Sequence, residues 1–177
     1  MITALLVFGV LVAIVIIALA IGASLPREHV ATVKARYAAN PAAVWAVIGN
    51  PLAASSWRKD VKKIETLPDR DGNKTWKEHS SSGAVTFVLT ESIAERRMVT
   101  RIGDDSLPFG GQWEFDLQPT GTGSELTISE HGFVKPAFFR LMARFVFGYT
   151  GAMEAYLTAL GAKLGERVSP TIVAAGH

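Results

Sequence analysis

From Ile2 to Leu25 the chain carries no charged residue, and Leu, Val, Ile and Ala dominate the run. As a helix these 24 residues would be about 36 Å long, enough to cross a bilayer core of about 30 Å with some tilt. A cleaved signal peptide is the competing expectation, and Ala18-Leu19-Ala20 and Ala23 are small enough for a peptidase. Signal peptides, however, carry a basic leader and a shorter apolar stretch of about 7 to 15 residues. No Lys or Arg precedes this run, so residues 1–25 are read as an uncleaved transmembrane anchor, with the membrane as partner through residues 2–25. Arg27, Lys34 and Arg36 follow the run with no counterpart ahead of it. That bias favours a single-pass protein whose soluble domain is cytoplasmic.

The remaining chain has the length of one ordinary domain, residues 28–166, followed by a tail, residues 167–177, that holds a Pro and no periodic pattern and is expected to be flexible. Lys and Arg number 18 against 16 Asp and Glu, a formal charge of +2, so no nucleic-acid partner is implied. The absence of cysteine excludes disulfides, thiolate zinc sites, iron–sulfur clusters and a Cys nucleophile. No cofactor is expected. Residues 27–70 hold 8 basic and 4 acidic residues, a juxtamembrane surplus in which Arg58, Lys59, Lys62 and Lys63 form either a lipid-facing patch or a solvated face.

After Pro26 the hydropathy pattern alternates. His29, Ala31, Val33, Ala35 and Tyr37 share one parity, as a half-buried strand requires. Asn40-Pro41 reads as an N-cap and first-turn proline before a helix over Ala42–Ile48, with a second short helix from Leu52 to about Lys59. Six strands follow at 61–67, 74–80, 85–92, 97–102, 112–118 and 125–133, separated by turn signals such as Asp71-Gly72-Asn73 and Gly121-Thr122-Gly123. A long amphipathic helix from Pro136 to about Leu164, closed by Gly165, ends the domain. Gly148, Gly151 and Gly161 inside it each cost about 1 kcal/mol relative to Ala, which a kink or a close backbone approach would offset. This order predicts an α+β fold, a curved antiparallel sheet wrapped around the C-terminal helix.

The element order, together with Trp76-Lys77-Glu78, Leu107-Pro108-Phe109-Gly110-Gly111-Gln112-Trp113, Ile128-Ser129-Glu130-His131-Gly132 and Pro136-Ala137-Phe138-Phe139-Arg140, resembles the polyketide cyclase/dehydrase-like branch of the START/Bet v 1 superfamily, also called SRPBCC. The resemblance runs from about His29 to Glu166. It implies a helix-grip fold with a deep hydrophobic cavity between sheet and C-terminal helix, in which relatives hold lipids, sterols, polyketides or other apolar molecules and a minority catalyse reactions.

Strand parity turns Glu78 and Glu130 toward that interior. A carboxylate facing an apolar cavity finds a partner or becomes a general acid near neutral pH. The two are the candidate catalytic residues, with His79 or His131 nearby; the competing expectation is that each meets water or an Arg such as Arg140. Trp76, Phe87, Met98, Trp113, Phe115, Phe138, Met142, Phe145 and Tyr149 are the candidate ligand-lining residues. The loop Asp104–Gly111 suits a mobile lip at a cavity mouth. His29, His79 and His131 lack metal-ligand spacing, no G-x-S-x-G surrounds a serine, and Gly121-Thr122-Gly123 lacks the third glycine of a dinucleotide fingerprint.

The leading expectation is a membrane-anchored binding module for a hydrophobic small molecule, lipid-, polyketide- or quinone-like. An alternative is a cyclase or dehydratase using the cavity carboxylates. A second alternative is a membrane-tethered assembly or recruitment factor, favoured if no cavity holds a ligand of about 300 Å³.

Overall fold

The structure, a computed structural model, describes residues 2–174. The uncharged run forms one helix, α1 (Ile2–Ser24), long and apolar enough to cross a membrane and with its spanning window unburied by the rest of the protein. Strand β1 (Glu28–Tyr37) follows, and Asn40 caps α2 (Pro41–Ile48) by accepting a hydrogen bond from the Ala43 N–H at 2.9 Å. The second expected helix is shorter than its apolar pattern suggested, a 3-10 turn over Pro51–Ser56 that opens at a proline. Six strands then succeed one another: β2 (Lys63–Arg70), β3 (Asn73–Ser80), β4 (Gly83–Ile93), β5 (Arg97–Ile102), β6 (Phe109–Thr120) and β7 (Gly123–Val134).

All are antiparallel, and β1 closes on β7 through an unbroken register from Glu28 opposite Phe133 to Tyr37 opposite Ser124. The sheet order is β2-β3-β4-β5-β6-β7-β1-β8, the last being Thr171–Val173. The eighth strand is a departure from expectation. Thr171–Val173 lies in the segment expected to be a loose tail, yet it pairs with Thr32–Lys34. Periodicity could not reveal it, because three residues hold less than two periods, and what orders them is the free edge of β1. Residues 175–177 of that tail lie outside the described residues.

The final helix is also corrected. It is two helices, α3 (Ala137–Met142) and α4 (Gly151–Lys163), joined by a π-turn over Ala143–Phe147. Gly148, in the left-handed region at φ 71°, ends the π-turn. Gly165, at φ 79°, completes a Schellman cap, with Glu166 N–H bonded to Gly161 O (2.8 Å) and Gly165 N–H to Ala162 O (3.2 Å). Just beyond, the Glu166 carboxylate accepts from the Ala38 and Ala39 N–H groups, tying the end of α4 to the β1–α2 corner.

The core lies between α4 and the β6–β7–β1 half of the sheet. Val33, Leu126, Ile128, Met153, Leu157 and Leu160 are completely buried there, and Tyr37 donates its hydroxyl to Leu157 O at 3.0 Å. The inward parity read from β1 and β7 is the parity that is buried.

Candidate functional site

Where α4 leaves the sheet toward β3–β5, the concave face is lined by Trp76, Phe87, Met98, Thr100, Trp113 and Phe115, with Tyr156 from α4 facing them. Trp57 and Arg58, from the chain after the 3-10 turn, close the chamber. Its free volume is about 80 Å³, less than the roughly 150 Å³ that holds a benzene ring. The deep cavity expected here is largely filled by aromatic rings. Tyr156 is the centre of that packing, with ring centroids 5.2 Å from Trp57, 6.0 Å from Trp113 and 5.4 Å from Phe115.

Two polar groups are held inside. Trp76 Nε1 donates to Glu78 Oε1 (3.1 Å), which alternation allows because residues two apart share a face, and Arg58 Nη1 donates to Glu78 Oε2 (3.0 Å). Burial by itself would lower the Arg58 guanidinium's pKa. Hydrogen bonding to Asp60 and the charges of Glu78 and Asp60 more than offset that, so it is raised and the ion is firmly charged. Arg58 also lies 5.3 Å from the Tyr156 ring centroid, in cation–π contact. Burial pushes the Tyr156 hydroxyl above its ordinary range, opposed by Arg58 and reinforced by Glu78. Among the described residues, the Trp57 indole N–H is a buried donor without a partner, a cost of about 1–3 kcal/mol that a ligand acceptor would relieve.

Beyond Trp113 a neck of about 40 Å³ shares Phe87, Thr100 and Trp113 with the chamber. It shares Ile102, Gly110 and Glu130 with a roomier cleft of about 330 Å³. The cleft lies between the β6–β7 end of the sheet and the break in the C-terminal helix, bounded by Phe109, Val134, Ala143, Phe147 and Tyr149. Glu130 is fixed at its inner end, accepting from Trp113 Nε1 at 2.9 Å on one oxygen and lying 3.1 Å from His29 Nε2 on the other. His29 stacks on Tyr149 with centroids 3.9 Å apart. Gly132 makes the arrangement possible, because a Cβ there would sit 2.6 Å from the His29 ring and 2.8 Å from the Glu130 carboxylate.

The structure therefore separates the two candidate catalytic carboxylates, Glu78 in the chamber and Glu130 at the cleft, with Trp113 between them. The histidine beside Glu130 is His29, not His131. Being adjacent in sequence, His131 points to the opposite face, 3.6 Å from Glu114, as His79 points outward to Glu65. Of the candidate lining residues, Trp76, Phe87, Met98, Trp113 and Phe115 line the chamber and Tyr149 lines the cleft. Phe138 and Phe145 are 49% and 67% exposed, and Met142 borders neither space. The helix break explains this, since a continuous helix would have carried those side chains along the same face as α4.

Sequence reasoning missed Arg58, Trp57 and Tyr156. Arg58 was grouped with surface lysines, because no period assigns a face to irregular chain. Of the segment Asp104–Gly111, Phe109 and Gly110, the first residues of β6, border the cleft, with Phe109 41% exposed. Among the described residues, no group of three His, Asp or Glu side chains is placed to hold a metal ion.

No curated protein sequence matches the chain. Solved structures do. Norcoclaurine synthase from Thalictrum flavum superposes with a TM-score of 0.61 at 17% identity, over 79% of this chain and 88% of that one. Zhui aromatase/cyclase from Streptomyces sp. R1128 gives 0.60 at 15% identity, over 78% and 92%. The di-domain aromatase/cyclase StfQ of the steffimycin pathway gives 0.61 at 11% identity, over 77% of this chain, which spans about half (49%) of StfQ. At these identities the likeness is one of fold. Residues 28–165 match the family model described as polyketide cyclase/dehydrase and lipid transport, a span that takes in β1 to β7 and both C-terminal helices, and the chain belongs to that family.

Proposed function

We propose that this protein binds an apolar small molecule in the cleft between the β6–β7 end of the sheet and the broken C-terminal helix, while α1 holds the domain at a membrane. The observation that carries the proposal is the cleft itself, about 330 Å³ and walled by Phe109, Val134, Ala143 and Phe147, with the small neck space bordering both it and the chamber. That volume reaches the lower end of small-molecule sites, which the chamber alone does not. The Trp57 N–H and Arg58 beyond the neck offer donors to a slender ligand with an acceptor at one end. The family's description, cyclase/dehydrase and lipid transport, supports an apolar ligand. Arg27, just after α1, favours a cytoplasmic domain.

The test is gentle detergent extraction of the full chain from native membranes and mass spectrometry of the small molecules that remain with it. Ala143→Trp, which fills the cleft, is expected to lose the co-purifying ligand while keeping the wild-type unfolding transition. An empty, correctly folded wild type, or a ligand that Ala143→Trp retains in full, overturns the proposal.

A second reading, proton-transfer catalysis, is favoured by the His29–Glu130 pair at the cleft, because a carboxylate orienting an imidazole is how a general base is held in place. It predicts that the purified protein exchanges a carbon-bound proton of that ligand with deuterium in D2O. Glu130→Gln is expected to slow this exchange, and an unchanged rate removes the reading.

A further inference from the structure

Exposed aromatic area is concentrated in one stretch. Phe138, Phe139, Phe145, Val146 and Phe147 are 49–70% exposed, all within α3 and the π-turn. Water is a poor neighbour for such a strip, and its position names a better one. α3 packs on the last two turns of α1. Gly22 lies so close to it that a Cβ would sit 2.1 Å from the Ala137 carbonyl oxygen. Arg140, only 6% exposed, donates Nε to Gly22 O (2.8 Å), Nη2 to Ala23 O (3.4 Å) and Nη1 to Lys135 O (2.7 Å). A cation thus caps the carbonyl end of α1 and fixes α3 beside it.

On the reading of α1 as a membrane span, on which this inference rests, its last turn marks the edge of the bilayer. The strip then lies at the interfacial depth where aromatic side chains gather. Arg27, just past α1, and Arg144, within the strip itself, are exposed cations that headgroup phosphates would favour. A second apolar space of about 310 Å³, sharing Phe109, Val134, Ala143 and Phe147 with the cleft and bordered also by Phe139, opens through the same strip.

We propose that α3 and the π-turn lie in the membrane interface and that the cleft opens onto the acyl chains of that leaflet, so that the ligand is a bilayer-resident lipophile entering sideways from lipid. The occupant of the exposed strip is lipid, not a second copy of the chain.

Because the chain lacks cysteine, single cysteines carrying an environment-sensitive fluorophore report depth directly. The full chain is reconstituted in vesicles of phosphatidylcholine and phosphatidylglycerol with the label at Phe145→Cys, at Ile16→Cys on α1, or at Thr122→Cys in the β6–β7 turn at the far end of the strands. The Phe145 label is expected to be quenched by nitroxide lipids and shielded several-fold from iodide, with the reverse at Thr122. A shielded Ile16 label with an iodide-accessible Phe145 label overturns this inference and leaves the membrane tether intact. Iodide access at both overturns the tether as well. Shielding at Phe145 without quenching by nitroxide lipid, as a second copy or a protein partner would give, also overturns it.

Discussion

The two halves of the C-terminal helical segment are both dominated by apolar residues and are opposite in surroundings. In α4, Met153, Leu157 and Leu160 are fully buried and Tyr156 is 8% exposed. In α3 and the π-turn, Phe138, Phe139, Phe145, Val146 and Phe147 are half to two-thirds exposed. Hydrophobicity states that a residue must leave water; it does not state what receives it. For α4 the receiver is the sheet; for α3 it is in part the end of α1, and for the exposed strip it is, on the proposal above, lipid.

The contrast breaks most easily at Leu157. Leu157→Ala should cost about 2–5 kcal/mol, because the cavity left between α4 and the sheet cannot collapse. Phe145→Ser should stay within about 0.5 kcal/mol in detergent, where the side chain has no protein partner to lose. Urea unfolding of the detergent-solubilised chain measures both, and similar effects at the two positions would erase the distinction.

A smaller effect is expected at the joint that keeps the halves different. Arg140→Met removes three bonds to main-chain carbonyls and leaves Gly22 O and Ala23 O without this donor, at about 1.5–3 kcal/mol. Spin-label distances between α1 and the domain should broaden. An unchanged distribution would show that helix packing alone fixes the joint.

The smallest effect concerns neither half and sets the scale for both. On the convex face Arg97 binds Glu114 (2.7 Å), Asp116 (2.8 Å) and Glu91 (3.1 Å). Hydrogen bonding to Arg97 holds the Glu114 carboxyl below the ordinary value of 4.5. A depressed folded pKa gives stability that is present above the unfolded value and lost as pH falls through the folded one. The melting temperature should therefore drop as pH is lowered below about 4.5, less steeply in Glu114→Gln. The effect is modest, because the network is partly exposed to water and salt.

Strand order, turn positions and the inward parity of β1, β3 and β7 were legible because alternation, turn residues and caps are local. Glu78 and Glu130 both face inward as parity requires, but parity carries no information about distance along the concave face, and Trp113 stands between them. His29 was the partner of Glu130 all along, reachable only through the β1–β7 register, in which Glu130 lies opposite Ala31 and Gly132 opposite His29. Arg58 was misplaced because it sits on irregular chain, where neither period applies.

By itself the sequence determined a chargeless run of 24 residues that must be helical, an antiparallel sheet and an apolar C-terminal segment, since each depends on residues near one another along the chain. The tertiary structure alone decided that this segment breaks at Gly148, that the aromatic interior nearly fills the chamber and leaves room in the cleft, and that Arg140 joins the domain to α1. Those outcomes depend on which atoms meet after more than a hundred intervening residues have folded, and packing against a distant partner overrides any local preference.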